Sequence, residues 1–562
     1  VSDLYQMSPR ISETTWVSLD RIIETVFLAL VATSAGLLLA IPLSFISARN
    51  IMQDISSTVT NLALGVIAIP IGGLAGITLA RAFAGSAIDV CVIEAGGLQP
   101  DPEVQALYQG ENAGIEYPLA ALRLRMFGGS SNHWGGYCRP LDPIDFEVRD
   151  WVPYSGWPFG IEELEPYYGP ANDLVEVAPA EYQDMVYWAQ TTGDTLPELA
   201  TGRMWMRFVH FSPPTRFGEK YGPELERADN IRVLLNANVV NIQAAAEGRV
   251  VNGLNIRTLN GLSHRVTARY YVVACGGLEN ARMLLLSNNV VPTGLGNQND
   301  LVGRFFMEHP HLGGFGEIVV ADLQRLPPIY RDRILVHGHN VKAAFNPSEA
   351  FLREQRLLNA TFMGGVAGEC RKGDKAGTGS EQAAARVDML MAAQRFLADG
   401  TGPVKADDPD YLGVWMGLGC ACEQAPNPDS RVMLSGERDV LGLPRIKLDW
   451  RLTEQDRYSL LQHMHSLAYE FGALGIGRLV LNVADDSPWP EVVAGGAHHM
   501  GTTRMHDDPR QGVVDRNSKV HGVDNLYVAG SSVFPTSGAA NPTLTLVALT
   551  LRLADHLKVQ LQ

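Results

Sequence analysis

The apolar and polar positions along the chain form two kinds of pattern, one typical of strands and one typical of helices. Asn61–Ala68 is predicted as a short apolar strand, and a glycine cluster separates it from a helical run at Ile77–Phe83 and a strand at Asp89–Glu94. Strand, glycine loop, helix and strand in this order form a βαβ unit. Further strands are predicted at Ile231–Leu235, Val250–Ile256, Tyr270–Ala274 and Leu526–Ala529, and further helices at Leu278–Ser287, Glu454–Leu474 and Thr543–Leu557. The pattern therefore predicts an α/β fold.

Residues 25–47 form an uncharged apolar run that differs from the rest of the chain. At about 1.5 Å per residue, a helix of that length would cross a hydrocarbon core of about 30 Å. Asp20 and Glu24 precede the run and no clear small-residue cleavage site follows it, which argues against a signal peptide. Membrane contact through this run is one expectation, and the arginines on both sides of it leave its orientation undecided.

The segment Trp16–Asn50 resembles the first membrane helix of a phosphonate-type ABC transporter permease. The resemblance ends before residue 70, and the further spans that a permease needs do not follow. Two interpretations of residues 1–61 stay open, a fused or artefactual segment and a genuine membrane anchor. The anchor implies a membrane-associated protein, and the alternative implies a cytoplasmic one.

Charge and cysteine content argue against several classes of function. The formal net charge is −16, whereas nucleic-acid binding requires a concentrated basic surface. The six cysteines include no CxxC pair, so the usual spacings for zinc, iron–sulfur clusters and covalent haem are missing. Cys420 and Cys422 fit two buried small residues on one face of a strand. The 56 glycines exceed the usual share of about 7%, as expected of tight loops around a cofactor.

Two polar segments are predicted to have structural roles. Glu423–Pro428 is predicted as a turn that enters a strand at Arg431–Leu434. His463 and His465 are two residues apart on a predicted helix, so they do not face each other. Neither segment therefore suggests a site.

A dinucleotide-binding signal lies in the first βαβ unit. Gly73 and Gly76 take the second and third places of a GxGxxG turn, which lets the backbone approach a pyrophosphate at a helix N-terminus. Glu94 follows Gly73 by 21 residues (94 − 73), the spacing of the acidic residue that binds ribose hydroxyls. Ile71 occupies the place of the first glycine, where a β-branched residue suits a left-handed turn poorly. The motif is therefore incomplete, close to the end of the permease-like segment.

A second glycine-rich loop, Phe127–Gly136, brackets polar and aromatic residues with two glycine pairs. This composition suits a backbone that bends around a planar ligand better than it suits a core strand or a helix. The candidate ligand contacts in this loop are Gly128, Gly129, Ser131, Asn132, His133 and Trp134.

Three motifs follow in order towards the end of the chain. They are Ala497–Met505, Asn525–Pro535 and Asn541–Thr545, the last of which opens a long apolar helix. Together with the second glycine-rich loop, they resemble the glucose–methanol–choline (GMC) oxidoreductases, and the His133-Trp134 pair is most similar to the sugar-oxidising branch. Stretches at 155–168, 272–286 and 301–310 are similar to the family as well. The resemblance therefore runs from about residue 62 to the C-terminus.

The resemblance implies an enzyme that oxidises a CH–OH group with FAD as hydride acceptor, with sugars or polyols as leading substrates. It implies a Rossmann-like FAD-binding domain assembled from residues 62–175, 228–310 and 495–562, and a sheet-based substrate-binding domain from 176–227 and 311–494. An external acceptor (oxygen, a quinone or a cytochrome) would reoxidise the flavin. The alternatives are a non-catalytic remnant of the fold, which Ile71 would explain, and a fragment of a transporter fusion.

The resemblance also implies roles for individual residues. The family's H-x-x-G-T pattern makes His498 the base for the hydroxyl proton, a role that suits imidazole near neutral pH, and leaves His499 as a neighbour. Asn541 would hold the substrate oxygen and also suits the cap of the helix that follows, whose N-terminus would face the flavin. His133 matches a histidine that carries FAD covalently in some relatives, with noncovalent contact as the alternative. The implied FAD contacts are Gly73, Gly76, Glu94, Gly128, Gly129, Ser131, Asn132, His133, Trp134, Val239, Gly530, Ser531, Asn541, Pro542 and Thr543.

Overall fold

The structure is a computed structural model, and it describes residues 52–54, 61–63, 66–70, 73–177, 181–312, 316–321, 323, 326–372, 386–391, 408, 410–481 and 493–562. The chain divides into two units, Val1–Gln53 and Asp54–Gln562, and the sheets discussed below are those of the second. The apolar run at 25–47 and the permease-like segment lie outside the described residues. Within the described part of the chain, no helix is both long and apolar enough to cross a membrane.

The strands and helices are numbered here in chain order. The strands are β1 (Met52–Asp54), β2 (Asn61–Ala63), β3 (Ile67–Pro70), β4 (Val90–Ile93), β5 (Gly110–Asn112), β6 (Tyr137–Cys138), β7 (Met204–Phe211), β8 (Ile231–Leu235), β9 (Asn238–Ala244), β10 (Val251–Arg257), β11 (Ser263–Thr267), β12 (Tyr270–Val273), β13 (Pro310–Leu312), β14 (Gly316–Val320), β15 (Ile334–Val336), β16 (His339–Pro347), β17 (Ala360–Arg371), β18 (Tyr411–Cys422), β19 (Arg431–Arg438), β20 (Pro444–Asp449), β21 (Gly477–Leu481), β22 (Val493–Gly495) and β23 (Leu526–Val528). The helices are α1 (Leu74–Phe83), α2 (Pro102–Gln105), α3 (Pro143–Phe146), α4 (Glu165–Leu174), α5 (Met185–Thr192), α6 (Phe217–Arg227), α7 (Glu279–Leu286), α8 (Pro328–Arg331), α9 (Glu349–Gln355), α10 (Glu454–Ala473) and α11 (Thr543–Gln560).

A parallel sheet is assembled from strands that are far apart in the sequence. Its order within the larger unit is β8-β4-β3-β12-β23, and each neighbouring pair runs in the same direction. Helix α1 connects β3 to β4 and buries Ile77, Leu79 and Phe83. Strands β3 and β4 are buried at every position, as expected of a parallel sheet covered on both faces. The predicted α/β fold is confirmed.

The predicted strand Asn61–Ala68 is wrong as a single element. Its first residues form β2, which pairs with β11 in the four-stranded sheet β2-β11-β10-β9, whereas Ile67–Pro70 forms β3 in the parallel sheet. The chain changes sheet because the fully buried run Ile67–Ile69 fills a central place between β4 and β12, where both strand edges are hydrogen-bonded. The helix predicted from Ile77 begins earlier, at Leu74.

A larger antiparallel sheet packs against α10. Its order is β21-β14-β18-β17-β16-β7-β6, with β15 paired to β16. One face contributes Phe362 to an apolar core that also contains Met464 and Phe471 of α10. Cys420 and Cys422 are buried in β18 and join the same core, which confirms the prediction for this pair. The domain boundaries drawn from the sequence stay a prediction.

Helices α1 and α11 begin at the same cleft. Helix α11 packs against α1 and α4 and buries Leu544, Val547 and Leu553. The residues at the starts of α1 and α11, Gly73 and Thr543 among them, line one cleft. The first βαβ unit and the last motif of the chain therefore meet there.

Candidate active site

A cleft at the carboxyl ends of parallel strands collects residues from each predicted motif. It leaves about 970 Å³ of unfilled space, its open mouth included, and segments that follow β3, β12 and β23 line it. Ligands of open α/β sheets bind at this edge. Of the predicted site residues, those that line it are Gly73, Gly129, Ser131, Trp134, His498, Gly530, Ser531, Pro542 and Thr543. Tyr108, Arg123 and Cys275 line it as well, although none of them belongs to a predicted site.

Glycines let backbone segments approach each other in the cleft. A Cβ on Gly129 would lie 3.1 Å from the Cα of Gly73. A Cβ on Gly277 would lie 2.2 Å from the carbonyl oxygen of His499, closer than real Cβ atoms approach. At Gly277 in particular, a side chain would push the histidine segment away from the parallel sheet.

The remaining residues of the dinucleotide signal lie near α1 and β4. Gly76 is buried in the first turn of α1, and Ile71 lies outside the described residues. Glu94 directly follows β4, is buried, and accepts a hydrogen bond from the backbone N–H of Gly96 at 2.8 Å. Val239 lines a smaller cavity that adjoins the cleft. The glycine turn and the acidic residue thus lie at the ends of neighbouring parallel strands.

The second glycine-rich loop holds its shape with its own polar side chains. Asn132 donates from Nδ2 to the carbonyl oxygens of Phe127 and Gly129, both at 3.0 Å. Ser131 donates from Oγ to the carbonyl oxygen of Gly128 at 2.6 Å, and Gly128 has a φ of 92°. Two of the predicted ligand contacts therefore shape the turn with their side chains, and Ser131 of these two also lines the cleft.

His133 and Trp134 take different positions. Trp134 lines the cleft, and its Nε1–H donates to the carbonyl oxygen of Thr215 at 3.0 Å. The side chain of His133 is exposed, and it is not among the described residues that line the cleft. Covalent attachment of a flavin at His133 stays a prediction.

His498 is held by contacts on both sides of its ring. Its Nε2 lies 2.9 Å from Nδ2 of Asn541, and its Nδ1 lies 3.0 Å from Nδ1 of His309. Its backbone N–H donates to Glu308 at 2.8 Å. Ala497, directly before it, has a φ of 62°, a left-handed conformation that costs a non-glycine residue about 1 kcal/mol or more. The surrounding contacts therefore hold this segment in a strained conformation that sets the direction of the ring.

The His498 ring is electrically neutral at ordinary pH. Burial, above all, lowers its pKa well below the usual 6.5, and the neighbouring His309, His311 and His499 lower it further. A neutral imidazole keeps one ring nitrogen unprotonated, and that nitrogen can accept a proton. The predicted base therefore has the protonation state that its role requires.

His499 belongs to a separate set of contacts built on Glu308. Its Nε2 lies 2.7 Å from the hydroxyl of Tyr117, which donates its hydrogen to Glu308. The completely buried carboxylate of Glu308 also accepts hydrogen bonds from the backbone N–H groups of His309, Gly496 and His498. Burial lowers the pKa of His499 to about 3. His499 is thus held by Tyr117, whereas His498 is held by Asn541.

Three residues of this region, Tyr117, Glu308 and His309, were not among the predicted site residues. The last two fall in the family-like stretch at 301–310, and an acidic residue and a histidine before Pro310 are the available signal there. Tyr117 belongs to no motif and is 382 positions from His499 in the sequence. No local pattern could have found it.

Asn541 stands directly before the residues that begin α11. The N-cap of this helix is Pro542, and no side chain makes a cap hydrogen bond, so the prediction that Asn541 caps α11 is wrong. The Asn541 amide instead contacts the imidazole of His498. The positive end of the helix dipole at Pro542 and Thr543 is therefore open to the cleft.

Comparison with known proteins agrees with this geometry. The family model described as GMC oxidoreductase matches residues 426–550. The chain carries a GMC oxidoreductase C-terminal domain. Paromamine 6'-oxidase of Streptomyces fradiae is 25% identical over 534 residues, 86% of this chain and 89% of that protein. The fructose dehydrogenase large subunit of Gluconobacter japonicus is 27% identical over 329 residues, 58% of this chain and 53% of that subunit.

A solved structure of a fungal aryl-alcohol oxidase shares the fold. It aligns with a TM-score of 0.53 at 16% identity, covering 89% of this chain and 100% of the oxidase chain. At that identity the likeness concerns the fold alone. The GMC domain and the oxidase and dehydrogenase relatives together support an enzyme of the GMC oxidoreductase kind.

The GMC oxidoreductases are flavin-dependent, and the residues of the cleft fit a flavin nucleotide. Its glycine contacts, such as Gly129 against Gly73, leave backbone within reach of a ligand. The starts of α1 and α11 have no side-chain caps, so their N–H groups suit a pyrophosphate and a negatively charged ring. Glu94, after β4, has the place of an acid that binds ribose hydroxyls.

Proposed function

We propose that this protein oxidises a CH–OH group of an alcohol, most readily of a sugar or polyol, in an FAD-dependent reaction. The observation that carries the proposal is the 2.9 Å contact between Nε2 of His498 and the amide of Asn541, beside the start of α11. A proton acceptor and a hydrogen-bond donor at one point suit a substrate hydroxyl. The relatives named as a paromamine 6'-oxidase and a fructose dehydrogenase subunit support a sugar-like substrate.

The cofactor would be held by residues from both ends of the larger unit. When bound, FAD accepts the hydride that leaves the alcohol carbon. The glycine turn, the buried acid after β4 and the adjoining cavity suit the dinucleotide part, whereas the second glycine-rich loop and the start of α11 suit the ring system. The residues proposed to hold FAD are Gly73, Gly76, Glu94, Gly128, Gly129, Ser131, Asn132, His133, Trp134, Val239, Gly530, Ser531, Asn541, Pro542 and Thr543.

Residues of the chain account for the transfer of the substrate's hydroxyl proton. Nε2 of His498 accepts the hydroxyl proton of the alcohol as the C–H bond gives up its hydride, so the substrate becomes a carbonyl compound. Asn541 donates from its amide to the substrate oxygen and orients it. Because the ring of His498 is neutral before the reaction, the imidazolium forms only as the proton arrives.

The proposal is tested by a visible spectrum. Protein purified with added FAD should show bound flavin, and an active alcohol from a panel of sugars, polyols and aryl alcohols should bleach its bands without oxygen. The control is the same panel added to His498→Ala, which should bind flavin but bleach far more slowly. Protein that stays colourless after reconstitution would contradict the proposal.

Attachment of the flavin is a separate prediction. If His133 carries FAD covalently, yellow colour should remain with acid-precipitated protein, and His133→Ala should release it. Trp134→Phe is the matched control, because it changes the neighbouring side chain and leaves His133 in place. Complete release of flavin from the unaltered protein would show that the contact is noncovalent.

A further inference from the structure

A second histidine stands behind His498, on the opposite side of the ring from Asn541. His309 is completely buried and directly precedes β13. Its Nδ1 lies 3.0 Å from Nδ1 of His498, and its Nε2 lies 3.3 Å from the carbonyl oxygen of Ser537. A continuous line of contacts therefore runs from the Ser537 carbonyl through both rings to the Asn541 amide.

The carbonyl oxygen of Ser537 determines which atom donates and which accepts in each hydrogen bond of this line. A carbonyl oxygen only accepts hydrogen bonds, so Nε2 of a neutral His309 carries the hydrogen and Nδ1 presents a lone pair. Two ring nitrogens 3.0 Å apart share a single hydrogen, which must then belong to Nδ1 of His498. This leaves Nε2 of His498 unprotonated, facing the amide N–H of Asn541.

The reverse arrangement of donors and acceptors would be unfavourable. It would place a hydrogen on Nδ1 of His309 and turn a ring lone pair towards the Ser537 carbonyl oxygen, so that two acceptors would face each other. A doubly protonated His309 would also remove the acceptor, but burial lowers the pKa of His309 to about 4. At pH 7 the ring is therefore neutral, and Ser537 fixes its tautomer.

We propose that His309 is a positioning residue that holds His498 in the tautomer with its lone pair on Nε2, the nitrogen that faces Asn541. The inference rests on the proposed function for its catalytic meaning, since Nε2 is there the atom that accepts the hydroxyl proton. The tautomer itself is a property of the protein and can be measured without turnover. A histidine whose other nitrogen is fixed by a hydrogen bond is a recognised way to set the reactive nitrogen.

The kinetic test compares two substitutions of His309 in the FAD-loaded enzyme. His309→Leu removes the acceptor behind His498, whereas the side-chain oxygen of His309→Asn can occupy nearly the place of Nδ1. We expect substrate-driven flavin reduction to slow by about 10- to 100-fold in His309→Leu, less than for loss of the base itself, and to stay within about threefold in His309→Asn. His463→Leu is the matched control, because His463 is equally buried, contacts the carbonyl oxygen of Leu358 at 2.7 Å and lies outside the cleft lining.

The decisive readout is the tautomer, measured by two-bond ¹⁵N–¹H correlation in holoenzyme with ¹⁵N-labelled histidine. The signals of His498 are identified by their loss in His498→Asn. We expect a protonated Nδ1 and a bare Nε2 in the unaltered protein and in His309→Asn, and a shift towards protonated Nε2 in His309→Leu.

The two proposals fail in different ways. A protonated Nε2 in the unaltered protein, or an unchanged tautomer in His309→Leu, would overturn the role of His309. Should His309→Leu not fold, the unaltered protein and His309→Asn still decide the matter. Holoenzyme that no alcohol reduces would instead overturn the proposed function, whatever tautomer His498 has.

Discussion

Replacing His498 by alanine should slow substrate-driven reduction of the flavin by about 10²- to 10⁴-fold, the usual contribution of a positioned base. The flavin should stay bound, because the proposed cofactor contacts come from the glycine-rich segments and the start of α11. Stopped-flow measurement without oxygen isolates this step from reoxidation. Asn541→Ala should have an intermediate effect, since it orients the substrate oxygen but takes no proton.

His499→Ala is the control for this prediction. Its ring nitrogen contacts Tyr117 at 2.7 Å and makes no hydrogen bond to Asn541, so its loss should affect the reduction rate much less. If His498→Ala reduced its flavin at the normal rate while His499→Ala were severely impaired, the base would have been assigned to the wrong histidine of the pair.

The pH dependence follows from the same residue. Because burial holds the pKa of His498 well below 6.5, the base is already unprotonated at neutral and mildly acidic pH. The rate of flavin reduction should therefore stay level as the pH falls through 6.5 and decline only at lower pH, where the ring becomes protonated. A decline centred above pH 6.5 would contradict the structure's account of the base.

Elements with a regular hydrophobic period could be predicted from the sequence. The helix predicted at Glu454–Leu474 is α10, since its apolar residues recur on one side and a capping box of Thr453 and Asp456 fixes its start. The strand predicted at Ile231–Leu235 is β8 without change. The run Asn61–Ala68 failed because its halves join different sheets, and sheet membership depends on distant partners.

The candidate site could be predicted in part. Resemblance to the GMC family identifies His498 and Asn541, and the structure places their ring and amide nitrogens 2.9 Å apart. The arrangement behind them could not be inferred, because His309 is 189 positions from His498 and 228 positions from Ser537. A tautomer is set by such long-range hydrogen bonds, which leave no periodic trace in the sequence.

The segment Glu423–Pro428 shows the same limit. Its polar and proline residues predict a turn, and the turn that forms lies at the end of the segment, where the N–H of Ser430 donates to the carbonyl oxygen of Asn427. Glu423 and Gln424, however, are buried. Their burial depends on partners elsewhere in the chain, above all on Arg149, which is 274 positions from Glu423.

Glu423→Ala should destabilise the fold by about 3–5 kcal/mol, the usual cost of removing one partner of a buried ion pair. The side chains of Glu423 and Arg149 are completely buried, and Nη1 of the arginine donates to Oε2 of the carboxylate at 2.8 Å. The same oxygen accepts the backbone N–H of Asn359 at 2.8 Å. The substitution would leave the guanidinium of Arg149 buried without its counter-ion. Denaturant unfolding of the holoenzyme would measure the loss of stability.

A nearby exposed pair provides the control. Arg356 and Asp150 lie 3.0 Å apart, with 56% and 74% of their side chains exposed. Asp150→Ala should therefore change stability by no more than about 1 kcal/mol. Equal decreases in the free energy of unfolding for Glu423→Ala and Asp150→Ala would show that burial does not increase the contribution of the Arg149–Glu423 pair to stability.

The double variant Arg149→Met/Glu423→Leu separates the pair from the space that it fills. Because two apolar side chains of similar volume need no counter-ion, it should regain most of the stability that Glu423→Ala loses. Full stability need not restore function, since the backbone N–H of Gln424 donates to Oγ of Ser537 at 3.0 Å and so supports the loop that leads to Asn541. If the double variant is stable but reduces its flavin slowly, the buried pair also aligns that loop. If the reduction rate is normal, the pair contributes to stability alone.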